Sequence, residues 1–144
     1  MRTASDFDAY YKDADPWRIS GVRSRDAILR RSMARFVTGK KVLELGCGEG
    51  HLTQALFWDA ASVKGIDISG VAIGRAISKG LSNASFENSD FLDVSYEGYG
   101  VIAELSPKVG DGGNREGGIS WGCLTPPLLH RRSDMPCPTI TSSN

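Results

Sequence analysis

The sequence predicts an α/β domain built on a doubly wound, mostly parallel sheet, and three features carry that prediction. Short apolar stretches suited to buried strands alternate with segments of helical period. The first of those strands runs directly into "GCGEG" and then into a helix. Acidic residues follow the strands where the carboxyl ends of a parallel sheet bring ligand-binding loops together.

Residues 6–22 mix aromatics with acids, and Pro16 and Gly21 argue against a long helix, so residues 1–23 read as an amino-terminal arm or lid. The helix that follows is "SRDAILRRSMARFV", with Ser24 as N-cap and Leu29, Met33, Phe36 and Val37 on one face. Gly39 ends it, and Lys41–Leu45 form a strand. After the glycine loop, "HLTQALFWDA" places Leu52, Ala55 and Leu56 on the inner side of a second helix. The unit then repeats. Residues 62–68 form a strand, and "SGVAIGRAISKGL" a helix capped by Ser69 with Ile73, Ala76 and Ile77 inward. A third short strand lies in "ASFENSDFLDV" and a fourth in "YGVIAEL", residues 99–105.

Residues 24–105 therefore form one α/β unit of about four strands, with Gly46, Asp67, Asp90 and Glu104 along a single edge of the sheet. From Ser106 the composition changes: residues 106–144 hold five of the six prolines and six glycines, with no helical or strand period. An irregular, poorly ordered tail is expected there, the fourth strand being left with an open edge and apolar surface exposed.

Bulk properties exclude several classes of function. The 17 basic and 17 acidic side chains balance, so no field exists to hold nucleic acid or an anionic membrane. No apolar run approaches the roughly 20 residues needed to span a bilayer, and the amino terminus lacks a signal-peptide core, which makes a cytoplasmic location the expectation. Cys47, Cys123 and Cys137 form no CxxC pair and lie near no histidine cluster, so no metal site and no disulfide framework is expected.

The chemistry concentrates in "VLELGCGEG", residues 42–50. Glycines between a strand and a helix let a ligand approach the backbone beside free helix N–H groups. A dinucleotide site reads GxGxxG, whereas here Gly46, Gly48 and Gly50 alternate. Glu44 and Glu49 add a charge test: a carboxylate roughly 6 Å from a phosphate charge is repelled by about 3 kcal/mol at an effective dielectric near 20. A cationic ligand without phosphate removes that conflict, and S-adenosyl-L-methionine is one. Asp67, 21 residues after Gly46 at the end of the second strand, suits a ribose diol.

With "GIDIS" and "NSDFLD", the glycine loop resembles the first three cofactor motifs of class I S-adenosylmethionine-dependent methyltransferases, which have a Rossmann-like fold. The resemblance implies S-adenosyl-L-methionine as cofactor, with Gly46, Cys47, Gly48 and Gly50 cradling its methionine end and ribose beside Glu44. It implies Asp67 on the ribose hydroxyls, Asp90 on the adenine amino group with Asp93 as its rival, and Ile68 or Phe91 on the adenine face. More narrowly, "YYKDADPWRI" and "VIAEL" resemble the nodulation protein S type N-methyltransferases. That likeness implies Tyr10, Tyr11, Trp17 and Arg18 as lid residues and a small-molecule acceptor, an amine among the candidates. Glu104 is the one candidate catalytic residue, orienting or deprotonating the acceptor, whereas His51 and His130 are not proposed as bases.

A class I domain usually has seven strands, and the fifth to seventh have no counterpart here. The resemblance therefore implies a chain truncated after the fourth strand, with weak cofactor binding and little or no turnover. Two other readings stand beside it: a non-catalytic adenosyl-binding or interaction module, and a nicotinamide-dependent oxidoreductase.

Overall fold

Five strands form one sheet in the order β3-β2-β1-β4-β5, in a computed structural model that describes residues 3–14, 16, 23–56, 58–107 and 119–121. The strands are β1 Lys41–Leu45, β2 Ser62–Asp67, β3 Ala84–Asn88, β4 Val101–Pro107 and β5 Ile119–Trp121. β1 pairs in parallel with β2 and with β4, and β2 with β3, so the first strand in sequence lies between the second and the fourth. This reversal of strand order opens a crevice beyond the carboxyl end of β1, which is where the glycine loop begins.

The helices are α1 Ala4–Tyr10, α2 Arg23–Val37, α3 His51–Leu56 and α4 Gly70–Ser78. Side-chain alternation along the strands separates two apolar layers. On one side, Val42, Val63, Val101 and Ala103 pack with Met33 and Val37 of α2 and Leu52, Ala55 and Leu56 of α3. On the other, Leu43, Ile66 and Ile102 pack beneath Leu45, Val94, Tyr96 and Tyr99. Burying each of these aliphatic side chains contributes about 1.5–3 kcal/mol, so both layers matter to stability.

Most expected elements form, with differences that have local causes. Ser69 caps α4 through a bond from the Ala72 N–H, as its sequence position suggested. Ser24 is not a cap, because α2 already begins at Arg23. α3 is shorter than expected, ending at Leu56. Ile77 is 58% exposed rather than inward: Ala72, Ile73 and Ala76 already fill the buried stripe, and Ile77 follows Ala76 by about 100° around the helix.

The arm was read as lacking a long helix, and it holds one of 7 residues, with Thr3 and Asp6 forming a capping box. The expectation of an open β4 edge changes only at its carboxyl end, for among the described residues the outer side of Val101–Glu104 pairs with no strand. β4 continues to Pro107, and the three residues of β5, in the segment expected to be irregular, pair with it antiparallel, Leu105 opposite Trp121. On the second face Leu43, Ile66 and Ile102 are at most 1% exposed, while Phe91, Leu92 and Ile77 leave apolar surface at the periphery. Leu29's side chain, Trp17, Arg18 and His130 lie outside the described residues.

Candidate functional site

The turn after β1 is made by glycines in the left-handed region: φ is +65° at Gly46, +53° at Gly48 and +74° at Gly50. Such angles cost an L-residue about 1–2 kcal/mol, so the alternation of glycines is what lets the chain fold back at each step. Their surroundings then divide their roles. Nothing lies within 4 Å of where a Cβ on Gly46 would be, which leaves its backbone open to a ligand. A Cβ on Gly48 would come within 2.7 Å of the Tyr11 hydroxyl, so the arm covers the loop at that point.

Gly50 and Cys47 also serve the packing of the loop itself. The Gly50 N–H donates to the Cys47 carbonyl at 2.9 Å, and a Cβ on Gly50 would press on Ala76 and Phe86 at 3.2–3.3 Å. Its missing side chain serves the close approach of α4 to the sheet. The Cys47 N–H donates to Ile66 at 2.9 Å, and its buried side chain rests on Gly65, where a Cβ would meet the Cys47 sulfur and Phe86 at 2.9 Å. Gly65 thus makes room for the loop, a part the sequence reading missed.

Asp67, at the end of β2 and 8% exposed, joins the loop to the next helix. Oδ2 accepts the Gly48 N–H at 2.8 Å and Oδ1 accepts the Ser69 N–H at 2.9 Å. Asn88 holds the same turn from β3, its Nδ2 donating to the carbonyls of Asp67 at 3.0 Å and Ile68 at 2.8 Å. Each carboxylate oxygen of Asp67 retains a lone pair for a further donor.

The two glutamates do not present the free charges that the sequence suggested. Glu44 is wholly buried, and Thr53 Oγ1 of α3 donates to its Oε2 at 2.5 Å. Burial pushes its carboxyl up to about 8, against the Thr53 hydrogen bond and with help from the neighbouring Asp67 charge. At neutral pH Glu44 is therefore mainly a neutral acid. Glu49 is buried too, but Arg75 Nη1 lies 2.6 Å from its Oε1 and His51 Nε2 lies 3.2 Å from its Oε2. Repulsion of phosphate by these acids thus loses its force, and Asp67 is the carboxylate tied directly to the loop.

Asp90 lies two residues beyond β3, half-buried, and caps a 3₁₀ turn at Phe91–Asp93 by accepting the Leu92 N–H at 2.9 Å. Phe91 and Leu92 are 52% and 71% exposed on that turn, and the Tyr96 hydroxyl donates to the Phe91 carbonyl at 2.6 Å. Glu104 stands opposite Leu45 in the register of β4 with β1, exposed and level with the start of the glycine loop. It is mid-strand rather than terminal, because β4 runs three residues further. Tyr11 is buried to 7% and meets Tyr10 edge to face at 6.0 Å. A separate cleft of about 210 Å³, lined by Ala27, Arg30, Gln54, Ala55 and Trp58, lies between α2 and α3 and contains none of these residues.

Residues 37–102 match the family described as a methyltransferase domain. The N-methyltransferase NodS from Bradyrhizobium japonicum, in complex with S-adenosyl-l-homocysteine, superposes with a TM-score of 0.58 at 29% identity over 71% of this chain and 55% of its own. The described residues share the Rossmann-like α/β fold of that methyltransferase. Two methyltransferases similar in sequence are both ubiquinone biosynthesis O-methyltransferases. That of Burkholderia vietnamiensis is 36% identical over 73 residues, 49% of this chain and 28% of the relative. That of Paraburkholderia phymatum is 50% identical over 40 residues, 28% of this chain and 17% of the relative. The chain thus spans well under half the length of the curated methyltransferases it matches. Among the described residues no helix is long and apolar enough to cross a membrane.

Proposed function

We propose that the domain binds S-adenosyl-L-methionine and serves methyl transfer to a small-molecule acceptor. The observation that carries this reading is the bond between Gly48 and Asp67, which sets a carboxylate with spare lone pairs beside an open glycine turn at the carboxyl end of a 3-2-1-4 sheet. The open space at Gly46 and the buried Glu44 Oε1, which has no hydrogen-bond partner among the described residues, fit a ligand with a polar amino-acid end. The presence of S-adenosyl-l-homocysteine in the NodS structure supports the same class of ligand.

In this reading Gly46 and Gly48 face the methionine end and ribose, while Cys47 and Gly50 shape the turn from behind. Asp67 accepts the ribose hydroxyls, and Asp90 accepts the adenine amino group with Ile68 or Phe91 against the ring. Glu44 lies beneath the loop as the acid nearest the amino-acid end. Tyr11 covers the loop from the arm, with Trp17 assigned to the same lid.

The cofactor supplies a methyl group on a sulfonium: the acceptor's lone pair forms the new bond to carbon as the S–C bond breaks and its electron pair returns to sulfur. Such an in-line displacement depends on alignment and on excluding water more than on acid–base chemistry. Glu104, across from Leu45, is the residue assigned in this reading to orient the acceptor or take its proton. Both an amine and a hydroxyl fit, since one relative's name specifies N-methylation and two specify O-methylation.

Calorimetric titration of the full chain with S-adenosylhomocysteine tests the proposal. Saturable one-to-one binding, abolished by Asp67→Ala and untouched by excess nicotinamide dinucleotide, is expected. Absence of any adenosyl binding would leave the chain an interaction module instead.

A further inference from the structure

Residues 3–14 of the amino-terminal arm are fastened to α4 at two points, and the two fastenings differ in kind. From α1, Asp8 Oδ1 accepts the Ser69 hydroxyl at 2.6 Å and the Val71 N–H at 3.2 Å, so a residue of the arm caps the first turn of α4. Beyond α1, the guanidinium of Arg75, in the last turn of α4, donates to two arm carbonyls: Nη1 to Asp13 and Nη2 to Lys12, both at 3.3 Å. Between these points the chain turns so that Tyr11 lies over Gly48.

Arg75 has a second duty. Its Nη1 also lies 2.6 Å from Glu49 Oε1, and Glu49 belongs to the glycine loop. A planar guanidinium offers five donors in a fixed fork, so one nitrogen faces the carboxylate while both reach the carbonyls, a spread that the three donors on the single nitrogen of an ammonium do not reproduce. The contacts are unequal. Glu49 is only 6% exposed, so withdrawing the guanidinium from its Oε1 is expensive, whereas a backbone carbonyl released at 3.3 Å finds water. When the arm opens, Arg75 therefore stays with the loop, and the direction of influence is fixed: Glu49 aims Arg75, and Arg75 holds the arm.

We propose that Arg75 is a positioning residue that couples the arm to the glycine loop, so that docking of residues 3–14 and ordering of the loop around an adenosyl ligand are one event. Only the ligand half of this inference rests on the adenosyl-binding reading; the coupling of arm to loop stands without it.

Hydrogen exchange on the full chain separates the two halves. In the ligand-free wild type the Tyr11 N–H, which donates to Phe7 at 3.0 Å, reports on the arm. Arg75→Lys keeps a cation for Glu49 and gives up the carbonyls, so exchange in residues 3–14 should rise by about fivefold or more while residues 46–50 stay protected. Glu49→Gln should raise exchange in both segments. Asp8→Asn provides a second route, loosening the arm without touching the loop. Arm exchange within about twofold of wild type in Glu49→Gln, with circular dichroism showing a folded chain, would overturn the coupling; if that variant does not fold, unchanged arm exchange in Arg75→Lys overturns it equally.

Adding S-adenosylhomocysteine should slow arm exchange in the wild type, and Arg75→Lys should weaken its binding about tenfold by calorimetry. A wild-type chain that ignores S-adenosylhomocysteine, yet shows the variant pattern above, refutes the ligand half and leaves the coupling in place.

Discussion

The carboxylate of Asp67 accepts the backbone N–H of Gly48 at 2.8 Å, tying the end of β2 to the middle of the glycine loop. With the Ser69 N–H on its other oxygen, one side chain satisfies two backbone donors from different segments. Asp67→Ala should therefore lower stability by about 2–4 kcal/mol, as two charge-assisted bonds are lost and two N–H groups are left unpaired. Urea denaturation followed by circular dichroism checks this, and S-adenosylhomocysteine binding should vanish in the same variant.

Gly48→Ala meets two penalties: a positive φ and the Tyr11 hydroxyl 2.7 Å from the new methyl group. The backbone part costs about 1–2 kcal/mol and remains whatever the arm does. Tyr11→Phe removes the steric part, because the next atom of the ring is 3.5 Å away. In thermal melts the double variant should lose less stability than the sum of the singles. Strict additivity would show that Tyr11 does not sit on the loop in solution.

Glu44 makes stability depend on pH with a definite sign. Its carboxyl is raised from 4.5 to about 8 in the folded chain, so between those values the folded state holds a proton that the unfolded state has released. Stability should then fall as pH rises through this window, with a limiting slope of about 1.4 kcal/mol per pH unit from this one group. Glu44→Gln keeps an acceptor for Thr53 and cannot ionise, so its stability profile should be flatter from pH 5 to 8. Parallel profiles for the two proteins would contradict a buried neutral acid at this position.

Cys47 is buried, and burial first, then the neighbouring Glu44 and Asp67, pushes its thiol upward. The thiolate is the reactive form, so alkylation of Cys47 by iodoacetamide at pH 8 should be about a hundredfold slower than that of glutathione and should recover in urea. Peptide mapping by mass spectrometry resolves it from Cys123 and Cys137. Rapid labelling in the native chain would mean that the loop opens far more often than its packing allows.

Local rules explain what the sequence made legible. The order of strands and helices follows from apolar spacing, the α4 cap from Ser69 ahead of a helical run, and the turn from alternating glycines. Asp67 could be singled out as a candidate because the end of a second parallel strand is a fixed place relative to the first. Features set by contacts distant in sequence were not readable. The cation that meets Glu49 is 26 residues away in Arg75, although His51 is also near, and the partner of Asp8 is 61 residues away in Ser69, so neither charge could be assigned its full environment beforehand. Glu44 lies only 9 residues from Thr53, yet its neutrality comes from complete burial under α3, which composition does not reveal. β5 escaped notice because three residues are too few to establish a period.

The place of β1 in the sheet has a consequence for folding. The strand that is first in sequence needs β2 on one side and β4 on the other, and the β4 residues that face it, Val101–Glu104, lie about 60 positions later. The β1–β2–β3 ladders use contacts close in sequence and can form early, while the last hydrogen-bonded edge of β1 must wait for a long loop to close. During that interval Val42, Leu43 and Leu45 have a wet flank. Synthesis on the ribosome lengthens it, so the centre of the finished sheet is also the segment longest at risk of pairing with another chain.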